Sequence, residues 1–244
     1  MIRTLLLLCL SLAAAAAARG SPTALQDFNA ALAKTPNLEH GSELFRDCAA
    51  CHGPNGSGSK NGDVPRIAGQ HLTVIVRQLV DYRHDLRWDI RMEHYAGRKL
   101  LDDPQSIADI AGFISQLTGD PSNSPGTGLL VGHGATVYAS GCARCHGAEG
   151  EGNAISRIPR LAGQRYEYLL RQMYDAVDGR RPNFSAAHIR ILAKLERDDL
   201  LGLADFLARS EWTGPIAMIT RGRGLRDPSP YERVAQRSSR TSSP

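Results

Sequence analysis

One five-residue pattern occurs twice in this chain and constrains its fold more than anything else. It reads Cys48-Ala49-Ala50-Cys51-His52 and Cys142-Ala143-Arg144-Cys145-His146. Superposing the chain on itself at an offset of 94 brings far more than these residues into register. Gly53, Gly56 and Gly58 fall on Gly147, Gly150 and Gly152. Pro65-Arg66-Ile67-Ala68-Gly69-Gln70 falls on Pro159-Arg160-Leu161-Ala162-Gly163-Gln164, and His94 falls on His188. At an offset of 93, His40-Gly41 meets His133-Gly134 and Phe113 meets Phe206. The two one-residue slips are expected to mark loops. A period this long implies two similar small domains rather than a solenoid.

Each copy shows helical periodicity and no strand alternation. Leu72, Ile75, Val76, Leu79 and Val80 make one apolar face, and Ile107, Ile110, Ala111, Ile114 and Leu117 another. Asp103-Pro104 supplies a cap and a first-turn proline for the latter. Tyr166, Leu169, Leu170, Met173 and Val177 repeat the first face, and Leu200, Leu203, Ala204 and Leu207 the second. Shorter helices are expected from Gly41 to about Cys48 and from Gly134 to about Cys142. The fold class is therefore all-α, with about three main helices per domain. Domains are expected at 37–118 and 129–212, joined by the Gly/Pro/Ser-rich linker 119–128. An extension covers 19–36. A basic flexible tail, 213–244, is Arg- and Ser-rich.

The first 18 residues read as a signal peptide: Arg3, a Leu-rich run, then Ala16-Ala17-Ala18. An uncleaved membrane anchor is the alternative. Cleavage would remove Arg3 and no acid, taking the formal charge from +4 to +3, and would discard Cys9. The four remaining cysteines are the two pairs. Zinc would need pairs about 15–20 residues apart, and a thioredoxin-like dithiol would need a βαβ setting. A disulfide across two residues closes a strained loop. Covalent attachment of c-type haem remains: the cysteines bond the haem vinyl groups and the adjacent histidine binds iron. A domain of about 85 residues has little core of its own, and a large apolar cofactor would supply it.

The run Cys-x-x-Cys-His-Gly-x-x-Gly-x-Gly, then Pro-Arg-(Ile/Leu)-Ala-Gly-Gln, then a helix carrying Arg-Gln, resembles the dihaem class I cytochromes of the cytochrome c4 type. The resemblance covers about residues 40–210. It implies two tandem cytochrome c domains, two covalently bound haem c groups on Cys48, Cys51, Cys142 and Cys145, and iron ligation by His52 and His146. It also implies that a carbonyl at Pro65 or Pro159 accepts a hydrogen bond from the ligating histidine, fixing its tautomer. Arg66 and Arg160 are expected to meet haem carboxylates.

The family places a methionine as the second axial ligand, about seven residues before the leucine that precedes the last helix. Counting back from Leu101 and Leu195 reaches His94 and His188 instead. His94 and His188 are therefore the expected sixth ligands, with Met92 the alternative to His94. Bis-histidine ligation would lower both potentials. Trp88-Asp89-Ile90 against Pro182-Asn183-Phe184 indicates that the distal loops differ.

The expected function is periplasmic electron transfer between a redox-protein donor and acceptor, without catalysis by the chain itself. A dihaem oxidoreductase, acting on thiosulfate or peroxide, and a haem subunit of a larger complex are the alternatives. The small net charge gives no reason to expect nucleic acid. Membrane contact is expected only through partner complexes or an uncleaved anchor.

Overall fold

The computed structural model describes residues 23–120 and 124–211. The expected signal peptide and basic tail lie outside the described residues. Within them, ten α-helices and one π-helical turn account for the regular structure, with a single β-bridge between Asn153 and Ile158. No described helix is long and apolar enough to cross a membrane.

In the first half, α1 (Ala24–Leu32) precedes α2 (Leu38–His52), α3 (Leu72–Arg83), α4 (Ile90–Ala96) and α5 (Pro104–Gln116). Asp103 caps α5 through Ser106 N, with Pro104 in the first turn, as the sequence indicates. The extension before residue 37 contributes α1, whose Phe28 and Ala31 are buried in the first core. Its buried Asp27 is held by Arg98 Nη2 at 2.7 Å, His84 Nε2 at 2.9 Å and Arg83 Nη1 at 3.4 Å. A carboxylate out of water needs such partners.

The second half runs α6 (Val131–Val137), the π-helical turn Tyr138–Cys142, α7 (Ala143–His146), α8 (Tyr166–Val177), α9 (Ala186–Leu192) and α10 (Arg197–Arg209). Here the first slip of the repeat is not a loop. One residue more separates Gly134 from Cys142 than separates Gly41 from Cys48. The π-helical turn absorbs it inside the helix, because an i→i+5 turn accommodates an extra residue without leaving the helical path. The aromatic pairs on either side stay equivalent: Phe45–Phe113 and Tyr138–Phe206 both have centroids 5.3 Å apart.

Helices α2 and α5 of the first domain, and α6 and α10 of the second, meet at glycine. At Gly134 an added Cβ would overlap the backbone carbonyl of Gly202 and come within 2.8 Å of Leu203 N. Gly41 meets the carbonyl of Asp109 in the same way. Gly134→Ala is therefore expected to destabilise the second domain by about 1–3 kcal/mol or more, since backbone cannot step aside as a side chain can. Gly132, two residues away, has open space where its Cβ would go. Gly132→Ala should be neutral or stabilise by about 0.4–1 kcal/mol. Thermal denaturation of the two variants checks the contrast.

The two cores are unequal. The first gathers Phe28, Ala31, Phe45, Ile75, Val76, Leu79, Val80, Tyr82, Ala96, Leu101, Ile107, Ile110, Ala111 and Ile114. The second has Tyr138, Leu169, Leu203, Ala204 and Leu207.

Candidate haem sites and the interface between them

Each Cys-x-x-Cys-His motif ends a helix, at His52 and His146, and the glycine that follows has positive φ and turns the chain away. The turn brings the chain back beneath the histidine. Gly58 N donates to His52 O at 2.8 Å, and Gly152 N to His146 O at 2.7 Å. The returning proline carbonyls then face the rings: His52 Nδ1 lies 3.0 Å from Pro65 O, and His146 Nδ1 lies 3.1 Å from Pro159 O. A carbonyl only accepts, so each Nδ1 carries the proton and each Nε2 lone pair is free for a metal. Gly58 and Gly152 make this approach possible. A Cβ at Gly58 would stand 2.5 Å from Pro65 O, and one at Gly152 2.6 Å from Pro159 O.

Burial pushes the pKa values of His52 and His146 down, partly opposed by the proline carbonyls. Both rings are therefore neutral near neutral pH, the form that ligates. Cys48 and Cys142 pack against their cores, whereas Cys51 and Cys145 are exposed, and none is in a disulfide. Burial and nearby Asp47 push the Cys48 thiol up to about 11, the opposite of a redox-active dithiol. No group of three or more His, Cys, Asp or Glu side chains among the described residues forms a metal cage. This donor set suits a group held covalently by two sulfurs, with the metal held by one imidazole from the protein beneath.

The other expected site residues separate. His188 faces His146 with ring centroids 6.0 Å apart and planes inclined 42°. Imidazole nitrogens bond first-row metals at about 2 Å, so two rings on opposite sides of one ion stand roughly 6 Å apart, centre to centre. The pair fits. Burial, His146 and Arg181 all lower the His188 pKa. His94 is exposed and packs edge-on to Tyr95 at 5.3 Å. Met92 is half-buried and packs against the first core cluster, as Cys48 does. The first domain thus turns inward the residue that the self-alignment ranked second.

Arg66 and Arg160, expected at haem carboxylates, stand at the interface between the domains. Gln164 Oε1 accepts from Arg66 N at 2.9 Å and its Nε2 donates to Arg66 O at 2.8 Å. The reciprocal pair links Gln70 to Arg160 N and O, both at 3.0 Å. The Arg66 guanidinium donates to Gly163 O and Asp120 O. Arg165 donates to Ser57 O through Nε at 3.1 Å and Nη2 at 2.7 Å. Farther along, Arg87 donates to Tyr168 Oη and Gln172 Oε1, both at 2.8 Å. The only sequence signal for these contacts was the exact repetition of Arg-x-Ala-Gly-Gln.

A sequence model of the cytochrome c family matches residues 38–118 and 131–209. The chain belongs to the cytochrome c family, as a member with two such domains in tandem. Its relatives narrow the type. Cytochrome c4 of Azotobacter vinelandii is 30% identical over 66% of this chain and 82% of its own length. Cytochrome c4 of Stutzerimonas stutzeri is 30% identical over 70% of this chain and 88% of its own. The crystal structure of reduced recombinant cytochrome c4 from Pseudomonas stutzeri matches with a TM-score of 0.62 at 26% identity, covering 72% of this chain and all of that one. Thiosulfate dehydrogenase TsdBA from Marichromatium purpuratum also matches, with a TM-score of 0.63 at 26% identity, over 84% of this chain and 47% of that one. The chain is of the cytochrome c4 type: a dihaem electron-transfer protein with two covalently bound haem c groups.

Proposed function

We propose that the chain is a periplasmic carrier that passes single electrons between a redox-protein donor and acceptor. Cys48 and Cys51 hold one haem and Cys142 and Cys145 the other, each through thioether bonds. His52 and His146 would each bind a haem iron, and His188 would bind the second iron as well. The bound haem supplies a one-electron ferric/ferrous couple. The protein supplies orientation: the Pro65 and Pro159 carbonyls fix both proximal rings and raise their basicity. The observation that carries this reading is the paired histidine-to-proline hydrogen bond, present in both domains at 3.0 and 3.1 Å.

Haem stoichiometry by the alkaline pyridine method, together with a reversible redox titration, tests it. Two haems per chain and two one-electron steps are expected. Fewer than two haems, or steps that do not reverse, would remove it.

A second reading has one specific support, the likeness to a thiosulfate dehydrogenase complex over most of this chain. There the chain would itself be a dihaem oxidoreductase that acts on thiosulfate. Thiosulfate oxidation by the purified protein alone would favour an enzyme. Reduction only when a separate dehydrogenase is added would favour the carrier.

A further inference from the structure

The two distal helices do not follow the 94-residue repeat. Helices α4 and α9 are both seven residues long, yet Ile90 and Ala186, their first residues, are 96 positions apart. The shift arises in the loop before them. Arg87 to the cap Asp89 is two steps, whereas Arg181 to the cap Ser185 is four. It is reversed in the loop after them, where Gly97 to Asp103 is replaced by the shorter run Ala193 to Glu196. By the last helix, Pro104 against Arg197, the offset is 93. A gain of two and a loss of three leave a net slip of one, and that net is all the self-alignment registers.

In this helical register the third residue is Met92 in α4 and His188 in α9. The caps agree. Asp89 Oδ1 accepts from Met92 N at 3.4 Å, and Ser185 Oγ accepts from His188 N at 3.2 Å. His94 then corresponds to Arg190, and both are exposed. Residues two apart on a helix point about 200° apart, so His94 and Met92 address opposite sides. The burial pattern follows: Met92 packs on the first core, against which Cys48 also packs, and His188 faces His146 at 6.0 Å.

We infer that the two haems have different sixth ligands, Met92 in the first domain and His188 in the second, with His94 a solvent-facing residue. The inference rests on the reading that each motif holds a haem. Thioether ligation favours ferrous iron more than imidazole does. The first domain therefore holds an electron more tightly than the second, and an electron equilibrating within the molecule rests in the first.

Low-temperature EPR and near-infrared magnetic circular dichroism of the oxidised, full-length holoprotein read each ligand set directly. One histidine–methionine and one bis-histidine low-spin haem are expected, together with two separated redox waves. Met92→His should convert only the first signal and lower only the upper wave. His188→Met should convert only the second signal and raise only the lower wave. His94→Ala should leave both unchanged. Two bis-histidine signals, two methionine signals, a high-spin haem, or loss of a ligand signal in His94→Ala would each overturn the inference. A pyridine assay on the same samples separates these results from failure of the underlying reading, which shows as fewer than two haems per chain.

Discussion

Replacing Cys142 and Cys145 together with serine should leave one haem on the chain and unfold most of the second domain. The matching Cys48→Ser, Cys51→Ser variant should also keep one haem, yet retain much of the first domain's helix. The asymmetry comes from the cores. The first domain buries fourteen residues in one cluster, including two from α1, which has no counterpart among the described residues of the second half. Among the described residues the corresponding cluster of the second domain holds five, with Leu192 and Leu200 buried outside it. Its haem-bearing helix is also weaker: α6 has no side-chain cap, a π-helical turn interrupts it, and α7 is four residues long. In the first domain the same stretch is one continuous helix, capped by Asn37. Each fully buried large apolar side chain stabilises a fold by about 1.5–3 kcal/mol, so the difference in core size is large on the scale of a domain's net stability. A ligand that binds only the folded state stabilises it by mass action, and a covalent one does so permanently. Circular dichroism of both variants, normalised to haem content, would show the contrast. Equal helix loss from the two would mean that the first core also depends on its haem.

Much of this arrangement was legible in the sequence because it rests on spacing that chemistry cannot relax. Two cysteines and a histidine must reach one group, and a carbonyl thirteen residues later must reach the ring. The second demand is met at His52 with Pro65 and at His146 with Pro159. Helices α3, α5, α8 and α10 declared themselves through apolar periodicity. The register of the distal helices α4 and α9 did not. Loop lengths of opposite sign nearly cancel there, and a self-alignment registers only their sum. Counting residues therefore paired His94 with His188, whereas the caps Asp89 and Ser185 pair Met92 with His188. The π-helical turn was hidden for a related reason: an inserted residue looks like a loop until the helix is seen to continue through it. Arg66 and Arg160 stood out in the sequence only as part of a repeated motif, which says nothing of a facing domain. Only the facing domain shows that the backbone on which each sits is gripped by a glutamine.

That grip leads to the other large expected effect. Gln70→Leu combined with Gln164→Leu should loosen the two domains from one another and slow electron exchange between them, while leaving two haems bound. Each glutamine amide satisfies a backbone N–H and a backbone C=O of the opposite domain, and these groups are buried. Leucine can satisfy neither. An unpaired buried donor or acceptor costs about 1–3 kcal/mol, and the double variant removes the glutamine partner of four such groups across the interface and of His71 N and Arg165 N beside them, so the interface would rather open and admit water than keep them dry. The single variants should each cost less than half as much, because one remaining clasp still holds the surfaces together and sites in one interface are not additive. Gln70→Glu gives a sharper version. It keeps an acceptor for Arg160 N but replaces the donor that faces Arg160 O with an oxygen, so acceptor meets acceptor. Small-angle scattering should show an expanded particle for the double variant, and unfolding should split into two transitions. The clasped residues directly follow Pro65 and Pro159, whose carbonyls orient the proximal histidines. The same substitutions should therefore also shift both redox waves, a response that mere separation of two rigid domains would not require.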